Sequence, residues 1–135
     1  MTKPVAIITG GSRGVGAEVS KLLASKGWNI AITCSSSIEA ANEVSKECET
    51  LGAETIVLKA DVSQPESCAQ TVEETIKKWG KLDSLINNAG TTKFNAHENL
   101  DGLSKDDFLG LYATNTVGPY MMIKEARESL LKSNN

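Results

Sequence analysis

The chain has 135 residues, 40% of them hydrophobic and 23% charged, with eleven glycines. That balance belongs to one globular domain and excludes disorder, collagen and coiled coil. Fourteen lysines and arginines against 17 aspartates and glutamates leave a net charge of −3, so no basic surplus calls for nucleic acid or an anionic membrane surface. No apolar run is long enough for a membrane span and the N-terminus has no signal-peptide layout, so the expected location is the cytoplasm.

The elements alternate from the start. Val5-Ala6-Ile7-Ile8-Thr9 is a continuous apolar run, as expected of a strand buried on both faces. Val15, Val19, Leu22 and Leu23 follow at helical spacing, and Gly27 marks a helix end. Residues 28–33 predict a second strand. A helix from Ser37 runs through Ile38, Ala41, Val44, Cys48 and Leu51 to Gly52. Residues 55–58 predict a third strand. Ser63-Gln64-Pro65-Glu66 has capping-box spacing and an early-turn proline, and Cys68, Val72, Ile76 and Trp79 give the next helix one apolar stripe up to Gly80. Residues 82–87 predict a fourth strand. Ser104-Lys105-Asp106-Asp107 is a weaker capping signal; Phe108, Leu111, Tyr112 and Asn115 then share one face of a helix that runs, with an interruption, to about residue 132.

Strands joined by helices run parallel with right-handed crossovers. The pattern predicts an α/β domain over residues 1–135, a doubly wound parallel sheet of Rossmann type in the order 3-2-1-4. No strand follows the fourth helix, so strand four is expected at a sheet edge, and the fold is expected to be cut after four β-α units. An isolated chain with such an edge is expected to be sticky or marginal.

Cys34, Cys48 and Cys68 are odd in number and form no C-x-x-C, so they read as small buried apolar residues rather than a disulfide or zinc framework. His97, the one histidine, stands in a polar stretch without other ligands, and no metal is expected. The segment Thr9-Gly10-Gly11-Ser12-Arg13-Gly14-Val15-Gly16 is different. It links the first strand to the first helix, where glycines permit positive φ and close approach, and the helix N-terminus offers N–H groups to a pyrophosphate. It has no G-K-[ST] ending, which argues against an ATPase or GTPase.

Thr9-Gly10-x-x-x-Gly14-x-Gly16, Asp61-Val62 after strand three and Asn87-Asn88-Ala89-Gly90 after strand four resemble the short-chain dehydrogenase/reductase family, over residues 3–132. The nearest flavour is the group that includes 3-oxoacyl-acyl-carrier-protein reductases. The resemblance implies hydride transfer between a carbonyl or alcohol substrate and a nicotinamide cofactor. It implies cofactor contacts from Gly10, Ser12, Arg13, Gly14, Val15 and Gly16, from Asp61 and Val62 on the adenine, and from Asn88, Ala89 and Gly90 along the ribose. Strand two ends in Thr33-Cys34-Ser35-Ser36-Ser37, with no carboxylate for a ribose 2′-hydroxyl. Arg13, Ser35 and Ser36 suit a 2′-phosphate instead, so the expected cofactor is NADP(H) rather than NAD(H). Arg13 as a solvated cation and Asp61 as a turn residue are the plainer alternatives.

Asn115 matches the family's catalytic asparagine. Pro119, four residues on, has no N–H for the Asn115 carbonyl, so that carbonyl is expected free at a kink. A buried asparagine that merely satisfies the kink is the alternative. The resemblance implies a serine after a fifth strand and a Tyr-x-x-x-Lys pair on a fifth helix, expected beyond this sequence. Tyr120 and Lys124 have the Y-x-x-x-K spacing but sit on the Asn115 helix, where packing and solvation explain them. The chain is therefore expected to be the N-terminal part of a homo-oligomeric carbonyl/alcohol oxidoreductase and inactive alone. The rival is a short nucleotide-binding or interaction module without catalysis.

Overall fold

Alternation of short β-branched runs with amphipathic runs builds β1 (Val5–Ile8), α1 (Gly14–Ser25), β2 (Asn29–Cys34), α2 (Ile38–Thr50), β3 (Thr55–Lys59), α3 (Pro65–Trp79), β4 (Ser84–Ile86), α4 (Lys105–Tyr112) and α5 (Gly118–Lys132). A 3₁₀ turn at Leu100–Gly102 and a π-helical turn at Ala113–Val117 complete the order. The computed structural model describes residues 2–134; Met1 and Asn135, the outermost positions of the predicted 1–135 domain, lie outside the described residues.

The strands form one parallel sheet in the order β3-β2-β1-β4, the order predicted. Ile8 pairs with Ile32 on one side and Ile86 on the other. Every residue of β1 and β2 is buried, as central strands require, whereas β4 at the edge is half-buried and shorter than the predicted 82–87. One face of the sheet packs Ile8, Ile30 and Ile32 against Ala24 of α1 and Ala41 and Cys48 of α2. The other packs Ile7 and Leu82 against Val72 of α3 and Met122 and Ala126 of α5. No helix among the described residues is long and apolar enough to cross a membrane.

Two local expectations need correction. Of the α1 residues expected to face the core, Val19 and Leu23 are half-buried and pack against it, but Val15 and Leu22 are exposed, and the fully buried positions are Gly16, Ala17, Ser20 and Ala24. Small side chains let the helix lie close to the sheet, with Val19 and Leu23 packed at the margin of the contact and Val15 and Leu22 left outside it. The capping box of Ser63 and Glu66 does not form. Gln64 is the N-cap of α3, because Ser63 gives both its N–H (2.9 Å) and its hydroxyl (2.7 Å) to Asp61 Oδ1. The helix face that carries Phe108 and Tyr112 lies open, with these residues 64% and 61% exposed.

The weaker signal at Ser104 becomes a complete capping box. Asp107 N–H donates to Ser104 Oγ (3.2 Å), and Ser104 N–H donates to Asp107 Oδ2 (2.8 Å). Lys93 Nζ reaches the same carboxylate oxygen at 2.8 Å and ties the loop after β4 to α4. Lys93, then the Ser104 N–H and hydroxyl, hold the Asp107 carboxyl down to about 2, from an ordinary 3.8. A carboxylate depressed by folding stabilises the folded state above its unfolded value, and that contribution is lost as pH falls through the folded one. Amide protection of the first turn of α4 is thus expected to persist to pH 4 and disappear towards pH 2. A carboxyl-carbon NMR titration of Asp107 centred at its ordinary value would contradict this.

Candidate functional site

The carboxyl ends of all four parallel strands open on one side, the usual ligand side of an open α/β sheet. A cavity of about 520 Å³ lies there, within the roughly 300–1,000 Å³ typical of ligand sites. Its floor is the turn from β1 to α1. Gly10 has φ +64°, and a Cβ there would stand 2.9 Å from Ala89 Cα. A Cβ on Gly16 would collide with the Asn88 amide and lie 2.5 Å from Gly10 O. Glycine is thus required at both positions by the approach of two backbones, at Gly10 also by its φ.

Hydrogen bonds fix that approach. The Thr9 hydroxyl oxygen accepts the N–H groups of Asn88 (3.1 Å) and Ala89 (3.0 Å). Asn88 Nδ2 donates back to Thr9 O and Gly10 O, both at 3.0 Å. The glycine loop and the Asn87-Asn88-Ala89-Gly90 segment are therefore one interlocked unit. Beyond it, α1 begins with Arg13 as an extended N-cap, no side-chain cap and no acid in the first turn. The first N–H groups of a helix have no intrahelical partner, and here that positive end borders a cavity lined by Gly10, Ser12, Arg13 and Val15.

Cys34, Ser35 and Ser36 after β2 form the next wall, with no carboxylate among them. Ala60, Asp61 and Val62 after β3 form another, and Asn88, Ala89, Gly90 and Thr91 after β4 the last. Asp61 is both a turn residue, through Ser63, and part of the cavity wall. Of the sequence-predicted binding residues, only Gly14 and Gly16 are not on the wall; Gly16 acts by admitting its neighbours.

Asn115 lies beside the wall rather than on it. Its Oδ1 accepts the Thr91 N–H (2.8 Å) and its Nδ2 donates to Thr91 O (2.9 Å), joining the helix to the loop after β4. The predicted interruption is the π-helical turn, in which Gly118 N–H donates to Ala113 O. Pro119 denies the Asn115 carbonyl its α-helical donor. Gly118 then packs so closely on Val62 that a Cβ would meet Val62 O at 2.9 Å. Such single π turns often mark functional positions in helices.

Sequence reasoning missed Ala60, Thr91 and Thr114 as wall residues, and took Cys34 only as core. Nothing local marks Thr91, whose partner is 24 residues away. Tyr120 is 64% exposed, and neither it nor Lys124 lines the cavity. His97 is exposed, and among the described residues no cluster of His, Cys, Asp or Glu could hold a metal ion. The three cysteines are buried and free; desolvation pushes all three thiols up, Cys48 to about 11.

The fold and this loop-lined cavity define a doubly wound α/β domain of the dinucleotide-binding class. Residues 4–135 match the family model described as short chain dehydrogenase, and the chain belongs to that family. It is 32% identical over 132 residues to a 3-oxoacyl-acyl-carrier-protein reductase of Staphylococcus aureus, covering 98% of this chain and 52% of that protein. It is 32% identical over 122 residues to versicolorin reductase 1 of Aspergillus parasiticus, covering 90% and 45%. A short chain dehydrogenase of Burkholderia cenocepacia solved in complex with NADP superposes with a TM-score of 0.88 at 35% identity, covering 94% of this chain and 51% of that one. The chain spans about half the length of the relatives it matches.

Proposed function

We propose that this chain supplies the adenosine-and-phosphate side of the cofactor site in an NADP(H)-dependent oxidoreductase that interconverts a small-molecule carbonyl and alcohol. One observation carries the reading: the cavity joins the open N-terminus of α1 and Arg13 to a β2 wall made of Cys34, Ser35 and Ser36. A pyrophosphate fits the helix end and the close-packed glycines. A 2′-phosphate fits a guanidinium and two hydroxyls where a carboxylate would repel it. The NADP in the Burkholderia cenocepacia relative and the reductase names of the other two support the same assignment.

In this reading Ser12, Arg13 and Val15 on the wall face the phosphates, Gly10, Gly14 and Gly16 shape the loop that brings its backbone close to them, and Ser35 and Ser36 complete the 2′-phosphate pocket. Asp61 and Val62 border the adenine, and Asn88, Ala89 and Gly90 the ribose. The bound nicotinamide supplies the hydride. Asn115 contributes its main-chain carbonyl to a water-filled proton path, while its side chain keeps Thr91 in place. The enzyme in this reading is a homo-oligomer, and no acid-base role is assigned to these cavity residues. Titration of the purified chain with NADPH and NADH tests the assignment. A preference of about tenfold or more for NADPH is expected from one added charged hydrogen-bonding group. Equal affinities overturn the NADP assignment, and binding of neither overturns the nucleotide site.

A further inference from the structure

The geometry points to Thr33 as the positioning residue that sets the gap between the two phosphate-holding walls of the cavity; the inference rests on the nucleotide-binding reading above. Thr33 belongs to no motif. It stands on β2 one residue past the last β1 pairing, Ile8 with Ile32, at the point where β1 leaves the sheet. Two hydrogen bonds control how it leaves. Gly10 N–H donates to Thr33 Oγ1 (3.2 Å), and Gly11 N–H donates to Thr33 O (3.0 Å). Both N–H groups are thereby directed at β2 rather than at the cavity.

The arrangement mirrors that of Thr9. The Thr9 hydroxyl fastens the β1 end to the segment after β4, and the Thr33 hydroxyl fastens the glycine loop to the β2 end. Thr33 is 1% exposed, and its branched side chain has restricted χ1 freedom, so the hydroxyl is held in one direction. Two residues further on stands Ser35, on the cavity wall. The Thr33 hydroxyl, beside its main-chain carbonyl, thus ties the wall of Ser12 and Arg13 to the wall of Ser35 and Ser36. A ligand that touches both walls depends on this gap, whereas a ligand that touches only the loop can move with it.

Thr33→Val keeps the shape and removes the acceptor. In the whole chain, amide hydrogen exchange at Gly10 is expected to quicken about tenfold, the order expected when one buried hydrogen bond is lost. The NADPH-to-NADH affinity ratio is expected to fall about fivefold or more, with ADP affinity within about twofold of wild type. Thr33→Ser, which retains the hydroxyl, is expected to keep both readouts near wild type. Thr33→Ala serves if circular dichroism shows that the valine variant does not fold. Unchanged Gly10 exchange overturns the clamp, and an unchanged affinity ratio with faster Gly10 exchange overturns its role in specificity. A wild-type chain that binds neither nucleotide removes the nucleotide reading and the specificity role with it, while Gly10 exchange still decides the clamp separately.

Discussion

Gly16→Ala is expected to abolish nucleotide binding and to destabilise the chain far more than Gly14→Ala. The added methyl at residue 16 would stand 2.5 Å from Gly10 O and 3.0 Å from Gly11 Cα, besides striking the Asn88 amide. None of these neighbours moves freely. Gly10 is itself seated against Ala89, and Asn88 Nδ2 is engaged by Thr9 O and Gly10 O. Overpacking of this kind costs about 1–3 kcal/mol, and loss of the two Asn88 bonds adds about 0.5–1.5 kcal/mol each. At Gly14 the same methyl meets nothing within 4 Å, so only the φ of +56° opposes it. That conformation costs an L-residue about 1–2 kcal/mol. Paired thermal melts of the two variants, with NADPH titrations, make the comparison. Melting of Gly16→Ala no lower than Gly14→Ala would show that the two backbones are not interlocked as described.

The same close approach explains why so much of the site was legible in the sequence. Where two backbones must nearly touch, only glycine fits, and the requirement leaves a mark at Gly10 and Gly16 that any reader of the chain can see. The strand order followed from alternation and from the rule for crossovers. The errors have a different origin. Helical periodicity finds the bulky residues of α1, but close packing on a sheet selects Gly16, Ala17 and Ser20, which carry little apolar signal. Capping spacing at Ser63 was correct as a pattern, yet the Asp61 carboxylate two residues earlier captured the serine. Ser104 shows the opposite case, where an aspartate in place of the usual glutamate or glutamine still closed the box. Thr33 and Thr91 were invisible because their partners are 23 and 24 residues away. Only the register of β2 against β1 and the return of the helix over the β4 loop bring those pairs together.

Arg13→Ala is expected to weaken NADPH binding about 10–100-fold, the range for a lost charge-assisted hydrogen bond, and to leave NADH within about twofold. Arg13 is exposed at the cavity rim, so its attraction for a 2′-phosphate is also screened by salt. NADPH affinity of the native chain should therefore fall as ionic strength rises, more steeply than NADH affinity, and the difference should shrink in Arg13→Ala. Ser35→Asp adds the complementary test, because it places a carboxylate on the β2 wall. A carboxylate there repels a 2′-phosphate and accepts a hydrogen bond from a free ribose hydroxyl. The double variant Arg13→Ala with Ser35→Asp is expected to prefer NADH. Arg13 and Ser35 line the same cavity, so their effects need not add, and the double variant reports their coupling. Unchanged affinity for 2′,5′-ADP in Arg13→Ala would mean that the guanidinium is only a solvated loop cation, and would overturn the NADP assignment built on it.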